Sequence, residues 1–512
     1  MSKNNSMQLK IGAILSYIQM AAQIIMGLIY TPLMLRLLGQ SEYGLYNTVS
    51  STISMLSILS LGFNSSYIRY YARYKKSDDD DNIAKLNGLY LIIFSVIGCV
   101  AFACGMFFQQ NPYLIFADGL TASEYSTAKI LMLLLTINLS LSFPMCVFTS
   151  IISAQERFVF LKLMGLVTTL AGPLITLPLL LMGYRSIAVV GVTVTLALAT
   201  YIVNAYYSVV KLQTKFKFHG FENGLFRNLF IYTSFIALEL IVDQVNWNID
   251  KILLGRFRGT SAVAIYSVGY SLYSYYQTFS CSISGVFTAR VHRIFNETKD
   301  DIALQRVRLT ELFTRIGRLQ FLVLALVASG LVFFGKQFIT IWAGRDYADS
   351  YYVSLLLAIP ASIALIQNLG IEIQRAENRH QFRSIAYFVM ACINLGMSIV
   401  FCQLYGAIGA ALGTALALIF INGLVMNIYY HKKCNIDILY FWKDILSMAK
   451  GMIGPITLGI LMNAFVDLYR VIYLLPAIAL YSAVYCVSMY VLGMNDYERQ
   501  LLTGPVKKVL GN

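Results

Sequence analysis

The sequence predicts an all-α integral membrane protein of about fourteen transmembrane helices, arranged as two six-helix lobes followed by two further helices. Three observations carry this reading. Composition is the first: 58% of the residues are apolar, 12% are charged and the mean hydropathy is +0.66, outside the soluble range in both directions. The second is that apolar stretches of about 20 residues or more, the length a bilayer requires, recur from end to end. The third is a duplication. Tyr184 to Lys211 (YRSIAVVGVTVTLALATYIVNAYYSVVK) and Tyr405 to Lys433 (YGAIGAALGTALALIFINGLVMNIYYHKK) are nearly the same stretch about 222 residues apart. Further echoes link Arg36-Leu-Leu-Gly39 with Leu253-Leu-Gly255, Tyr46 with Tyr266, and Ala154-Gln-Glu-Arg157 with Ala376-Glu-Asn-Arg379. A duplicated membrane unit is the architecture of a transporter, because two packed halves can rock about a site between them.

In chain order the expected spans are 11–34, 44–67, 87–108, 129–151, 160–182, 187–210, 229–254, 262–287, 316–340, 351–373, 384–404, 406–430, 446–467 and 472–493. The first follows a short polar start, is too long for a signal-peptide core and lacks a small-residue cleavage site, so it is expected to be retained. The duplication divides the chain into residues 1–220, the first lobe; 221–433, the second; and 434–512, spans 13 and 14 with a cytoplasmic tail. Six spans per repeat is an even number, so both halves enter the bilayer in the same direction. Their pseudo-twofold axis is then expected along the membrane normal. Of the 39 Lys and Arg residues, 30 fall on the side that holds both termini, which the positive-inside rule makes the cytoplasm.

The net charge of +14 is spread over loops, with no basic domain or base-stacking surface, so nucleic acid is not expected as a partner. The eight cysteines lie scattered through apolar segments without a Cys-x-x-Cys pair, and the four histidines lack ligand spacing. They suggest packing residues and no metal site. No phosphate-binding loop occurs, and no cofactor is expected. The external connection from Gln109 to Ala128 is short for the catalytic loop of a membrane glycan polymerase or ligase, which argues against an enzyme. The Asp78-Asp-Asp-Asp81 run beside Arg73, Lys75 and Lys76 reads as solvated charge.

Polar stripes mark the interior. On span 7, Glu239, Asp243, Asn246 and Asp250 follow spacings of 4, 3 and 4 and share one helical face. Glu239 and Asp243 are expected near the midplane, where an ionisable side chain costs on the order of 3 kcal/mol or more unless it meets water or a partner. They suit uptake of a proton or Na⁺, or alternatively a neutral, hydrogen-bonded clamp between helices. Asp250 is expected nearer the outer water. Span 8 carries Tyr266, Tyr270, Tyr273, Gln277, Ser280 and Ser284 on one face; its repeat partner, span 2, carries Tyr46, Ser50, Ser54, Ser57 and Asn64, and span 1 adds Gln19 and Gln23. Tyrosyl rings, hydroxyls and amides suit sugars, which offer hydroxyls and apolar C–H faces. Interhelical hydrogen bonding is the competing reading. Arg69 with Arg73 and Arg290 with Arg293, at the cytoplasmic ends of spans 2 and 8, suit a diphosphate, and equally suit topology anchors and lipid headgroups. Gly406, Gly409 and Gly413 predict close helix packing. Gly451, Gly454, Pro455 and Gly459 predict a bend.

Pro32-Leu-Met-Leu-Arg-Leu-Leu-Gly39 with Glu42-Tyr-Gly-Leu-Tyr46, Gly62-Phe-Asn-Ser-Ser-Tyr-Ile-Arg69, and Asp250-Lys-Ile-Leu-Leu-Gly255 leading to Ala264-Ile-Tyr-Ser267 together resemble the polysaccharide transporter family. Its members are Wzx-type flippases of lipid-linked oligosaccharides within the multidrug/oligosaccharidyl-lipid/polysaccharide exporter superfamily. The resemblance covers essentially the whole chain. It implies alternating access, coupled to H⁺ or Na⁺, that moves an undecaprenyl-diphosphate-linked oligosaccharide across the bacterial cytoplasmic membrane for capsule, O-antigen or exopolysaccharide synthesis. Membrane lipids, and a glycan polymerase and glycosyltransferases of the same pathway, are the implied partners. Three alternatives stand beside it: a multidrug extruder, a lipid II flippase, and an integral glycan polymerase or ligase. In the lipid II flippase the last two helices form a groove for the lipid tail and arginines of the first lobe face the lumen. This sequence offers Gln19 and Gln23 in place of arginine in early span 1, which weighs against lipid II.

The orientation is checked by substituted cysteines. Asn296→Cys is expected to resist an impermeant thiol reagent in intact cells while Ser123→Cys is labelled; the reverse pattern overturns the assignment.

Overall fold

A backbone in hydrocarbon has no water to satisfy its N–H and C=O groups, so a chain of this composition crosses as helices. Among the described residues every regular element is helical. The computed structural model describes residues 3–60, 62–116, 120–220, 225–285, 287–298, 301–377 and 380–501. Contacts divide the chain into two compact units, Met1–Ala264 and Ile265–Asn512.

The first unit contains α1 (Lys3–Leu38), α2 (Gln40–Met55), α3 (Phe63–Lys76), α4 (Asp80–Gln110), α5 (Tyr113–Phe116), α6 (Ala122–Ala154), α7 (Phe158–Leu181), α8 (Arg185–Tyr206) and α9 (Leu225–Phe257). Asp79 starts α4 by accepting from the Asn82 N–H at 2.9 Å. Thr121 and Glu124 start α6 with a reciprocal capping box. The α4 and α6 helices approach through small residues, as lipid-embedded helices must when apolar burial gives no net drive. Gly98 faces the Ser140 carbonyl, where an added Cβ would stand 2.6 Å away, and seven residues on Gly105 faces Thr136. One core gathers Phe63, Tyr67, Tyr90, Phe94 and Leu229. A buried polar chain runs through it: Ser66 Oγ and Tyr90 OH lie 2.5 Å apart, Tyr67 OH donates to Asn87 Oδ1 at 2.7 Å, and Asn87 Nδ2 donates to the Lys215 carbonyl at 2.9 Å. That last bond, with Lys217 N–H on the Ala84 carbonyl at 2.9 Å, pins the strand of chain leaving α8 across α4. Gly88 supplies the close approach, since a side chain there would collide with the Lys217 carbonyl.

The second unit holds α10 (Thr260–Gly285) apart from its first turn, then α11 (Thr288–Glu297), α12 (Ile302–Trp342), α13 (Ser350–Ile366), α14 (Leu369–Ala376), α15 (His380–Leu418), α16 (Met426–Lys433), α17 (Ile438–Ser447), α18 (Ile453–Phe465) and α19 (Val471–Ser488). Gly406, at φ 60° and ψ −134°, splits α15 into two pieces. These pack on each other through Gly409 against the Phe401 carbonyl and Gly413 against Ser398 Oγ, 3.1 Å from an added Cβ. Between α17 and α18 the chain tightens to a 3₁₀ segment at Met448–Met452, where the glycines and Pro455 predict a bend.

The same backbone devices recur in both halves. Gly39 and Gly259 take φ 77° and 81° ahead of α2 and α10. Asp301 caps α12 by accepting from Leu304 N–H, as Asp79 caps α4. Gln213 and Asn435 take φ 50° and 51°, and the residue after each donates six residues back, Thr214 N to Ser208 O and Ile436 N to Tyr430 O. Asparagine tolerates the left-handed region better than most residues. The repeat therefore extends to single-residue geometry.

The expected boundary at 220/221 marks where the repeat restarts in sequence. The contact boundary lies later, because α9 packs along α2 and α3 in the first unit. Among the described residues ten helices are long and apolar enough to cross a membrane. One of these, 381–433, is the stretch split at Gly406. Span 2 is interrupted and α10 carries a polar stripe, so neither belongs to that set.

The second unit is fastened to its last helices by Arg318 of α12. Its Nε and Nη2 grip the Glu498 carboxylate at 2.6 and 3.0 Å, Nη2 also donates to Gly493 O at 2.9 Å, and Nη1 donates to Asp444 O at 3.1 Å. Arg318 and Glu498 are 3% and 2% exposed, so the buried carboxylate depends on the guanidinium, which also faces the Asp444 carboxylate at 3.3 Å. Farther along α12, Tyr485 OH donates to Leu322 O at 2.7 Å, and Gln337 Nε2 donates to Asn463 Oδ1 at 2.8 Å. Glu498→Ala is expected to cost about 3 kcal/mol by depriving a buried guanidinium of its bidentate carboxylate. A paired Arg318→Met, Glu498→Leu variant should recover most of the loss, read as thermal unfolding in detergent; equal melting of all three would refute the fastening role.

Candidate functional site

Span 2 is a helix whose sequence disfavours continuity. Ser57, Ser60 and Gly62 are weak helix formers. After α2 the chain runs as a 3₁₀ segment, Leu56–Ser60, and resumes as α3 from Gly62 at φ 72° and ψ 13°. An interruption frees backbone groups that hydrocarbon cannot satisfy. It is tolerated where protein or a water-lined cavity meets it. Tyr46, above the break, is half-buried against the core of Leu45, Val49 and Val190, which Ile252 of α9 also joins. The α2 and α9 helices touch closely at Gly255, where an added Cβ would stand 2.7 Å from Thr48 Cγ2. Gln19 is half-buried with its amide against Gly165 of α7, and Gln23 is exposed. The side chains of Asn64 and Glu239 lie outside the described residues.

On α9, Asp243 is exposed, Asn246 is half-buried and Asp250 is 1% exposed. Asp243 and Asp250 are seven residues apart and share a face, so it is the surroundings that change along the helix. Asp250 lies closer to the end of α9 than Asp243 does, as expected, yet it is buried rather than water-facing. It is enclosed, with the adjacent Lys251 ammonium as an electrostatic partner. This pairing was readable in the Asp-Lys dipeptide, but neighbours on a helix point about 100° apart, which hid it.

On α10, Tyr266 and Tyr273 are 2% and 5% exposed, and Tyr270 and Gln277 are half-buried. The rings form a ladder, Tyr266 stacked on Tyr270 at 6.3 Å and Tyr270 edge-on to Tyr273 at 5.9 Å. Ser280 and Ser284, placed on the same sequence stripe, serve packing instead. Ser280 Oγ donates to Leu365 O at 2.9 Å, and Ser284 Oγ accepts from Asn368 Nδ2 at 3.1 Å. Tyr276, outside the stripe, meets Ser362 Oγ at 2.6 Å.

Arg69 and Arg73 are exposed one turn apart on α3, and Arg290 and Arg293 are exposed on α11. Arg293 already faces Glu297 at 3.7 Å, and Arg308 shares that carboxylate at 3.1 Å. A diphosphate would therefore compete with an internal anion for Arg293.

Residues 9–288, more than half of the chain, match the family described as polysaccharide biosynthesis protein. The chain belongs to this family. Among solved structures, the lipid II flippase MurJ in its inward closed conformation superposes at TM-score 0.70 with 16% identity, over 96% of this chain and 99% of that one. An inward-facing multidrug resistance MATE family transporter of the MOP superfamily gives 0.65 and 11%, over 84% and 99%. A MOP superfamily transporter from Pyrococcus furiosus gives 0.55 and 15%, over 82% and 96%. No curated protein matches in sequence. At these identities the likeness is one of fold, and the fold is that of a multi-pass membrane transporter.

The burial of Asp250 determines what its substitution should do. Asp250→Ala is expected to lower the melting temperature of the purified protein, with Lys251→Met in the same chain restoring part of the loss. An unchanged melting temperature for Asp250→Ala would return the residue to the water-exposed class.

Proposed function

We propose that this protein is a flippase, carrying an undecaprenyl-diphosphate-linked oligosaccharide from the inner to the outer leaflet of the bacterial cytoplasmic membrane by ion-coupled alternating access. It is no enzyme in this reading, since the cargo's bonds are untouched. Both termini lie in the cytoplasm, where glycosyltransferases assemble the cargo, and a polymerase receives it outside. The observation that carries the reading is the placement of polarity. The α9 helix carries Asp243 and Asn246, and the α10 helix carries Tyr270 and Gln277, on helices long enough to cross a membrane. A helix with a polar side crosses hydrocarbon only when that side meets protein or water. A passage lined by hydroxyls, amides and rings shields a sugar while the polyprenyl tail stays in lipid.

The arginines of α3 and α11 would hold the diphosphate by forked bonds. Glu239 and Asp243, one turn apart, would not both stay ionised without a cation, so one exchanges H⁺ or Na⁺ as the cycle turns. Fold likeness to the lipid II flippase over nearly the whole chain supports a lipid-linked cargo, and Gln19 and Gln23 in place of lumenal arginine favour an oligosaccharide other than lipid II.

Reconstitution tests this. In proteoliposomes containing undecaprenyl diphosphate that carries a single N-acetylglucosamine, an imposed proton or sodium gradient is expected to accelerate flipping. Glu239→Gln and Asp243→Asn should insert normally and lose the gradient response. No flipping under either gradient refutes the function; an equal response in wild type and both variants removes the carboxyls from coupling.

A further inference from the structure

The turn that joins α9 to α10 meets the first turn of α2 in a small polar joint, and we propose that this joint is a latch that must part for the passage to open on the face opposite the N-terminus. The inference rests on the transport reading above and adds the residues that gate it.

The joint is built from both repeats although it lies within the first compact unit. Thr260, the first residue of α10, is 7% exposed, and its hydroxyl lies 2.7 Å from Ser41 Oγ in the first turn of α2. Ser41 in turn donates to the Glu124 carboxylate, which receives the Thr121 N–H at 2.9 Å and the Thr121 hydroxyl at 2.8 Å as it caps α6. Gly44 lets the backbones touch, because any side chain there would run into the Thr260 carbonyl. Gly255 seats Thr48 in the same way on α9. Arg256, between them, donates to the Leu114 carbonyl.

The charges are distributed in a way that suits a moving joint. Each carboxylate near it secures the first repeat to itself. Glu124 caps α6, and Glu42 of α2 accepts from Ser186 N and Oγ at 2.9 and 2.6 Å while Arg185 stands 3.4 Å away. What crosses to α10 is a hydroxyl pair and a glycine contact. Parting a neutral hydroxyl pair costs far less than stripping the carboxylate from a buried ion pair such as Arg318 with Glu498. The first repeat keeps its shape through ionic anchors, and the crossing contact can break and reform. The latch lies at the end of α1 distal to the N-terminus, which is the outer face in the orientation proposed above.

A disulfide across the joint tests this. In a chain whose eight cysteines are replaced, Ser41→Cys with Thr260→Cys places two thiols within bonding reach. Oxidation is expected to abolish flipping of the N-acetylglucosamine-linked probe and a reductant to restore it, with either single variant insensitive to both. Full flipping by the oxidised, cross-linked protein would overturn the latch and leave the transport reading intact. A second measurement needs no transport. Spin labels at the exposed positions Ser123→Cys and Ser261→Cys should show two distance populations whose ratio shifts when the probe is added. One unchanging distance overturns the latch. Two populations in a wild type that flips nothing would keep the latch and refute the transport reading instead. If the Ser41, Thr260 pair fails to accumulate, the spin-label pair carries the test alone.

Discussion

Backbone hydrogen bonding in hydrocarbon is the constraint from which the remaining features follow. Because every N–H and C=O must find a partner inside the protein, the chain forms long helices, and each departure from helix has to be answered locally. The 3₁₀ segment that interrupts span 2 packs through Leu59 on the aromatic core of Phe63, Tyr67 and Tyr90. The reversal at Gly406 is closed by glycine contacts between the two pieces it separates. The 3₁₀ stretch Met448–Met452 is met by Met489 and Gly493 across Gly451. Side chains obey the same rule. Asn87 and Arg318 are buried because their donors reach backbone carbonyls or a carboxylate, and without those partners they would be expelled or would destabilise their surroundings.

Within that frame, small residues decide where helices meet. Gly44, Gly88, Gly98, Gly255 and Gly409 each stand where a methyl group would strike a backbone carbonyl or a neighbouring side chain. With lipid tails as apolar as leucine, proximity is gained by removing atoms from the interface rather than by adding apolar ones. The result is a scaffold in which adjustable contacts are hydroxyls and glycines, and permanent ones are carboxylates and guanidinium.

The fold was legible because its signals are long. Apolar runs and an offset of about 222 residues survive local exceptions, and the repeat reappears in the paired left-handed residues Gln213 and Asn435. The site was legible only in part. Helical spacing put Ser280 and Ser284 on the tyrosyl stripe, and periodicity cannot tell a cavity-lining hydroxyl from one that bonds a neighbouring helix. The same limit hid the burial of Asp250. Arg318 carried a signal that length arguments absorbed: a lone arginine just inside an apolar span whose partner, Glu498, lies 180 residues away. Nothing in one sequence links two residues at that distance except the unlikelihood of either being buried alone.

That separation bears on how the protein is made. At roughly 5 to 20 residues per second, Arg318 enters the membrane about ten to forty seconds before Glu498 leaves the ribosome. Through that interval its guanidinium has at most the Asp444 carboxylate, 3.3 Å from Nη1, so the second unit cannot reach its final packing until Glu498 has been made. A chain ending before Glu498 would leave Arg318 of α12 with the Asp444 carboxylate alone. Such a product is exposed to chaperones and membrane proteases at the very group that secures the finished unit, and the arrival of Glu498 becomes the step that releases it.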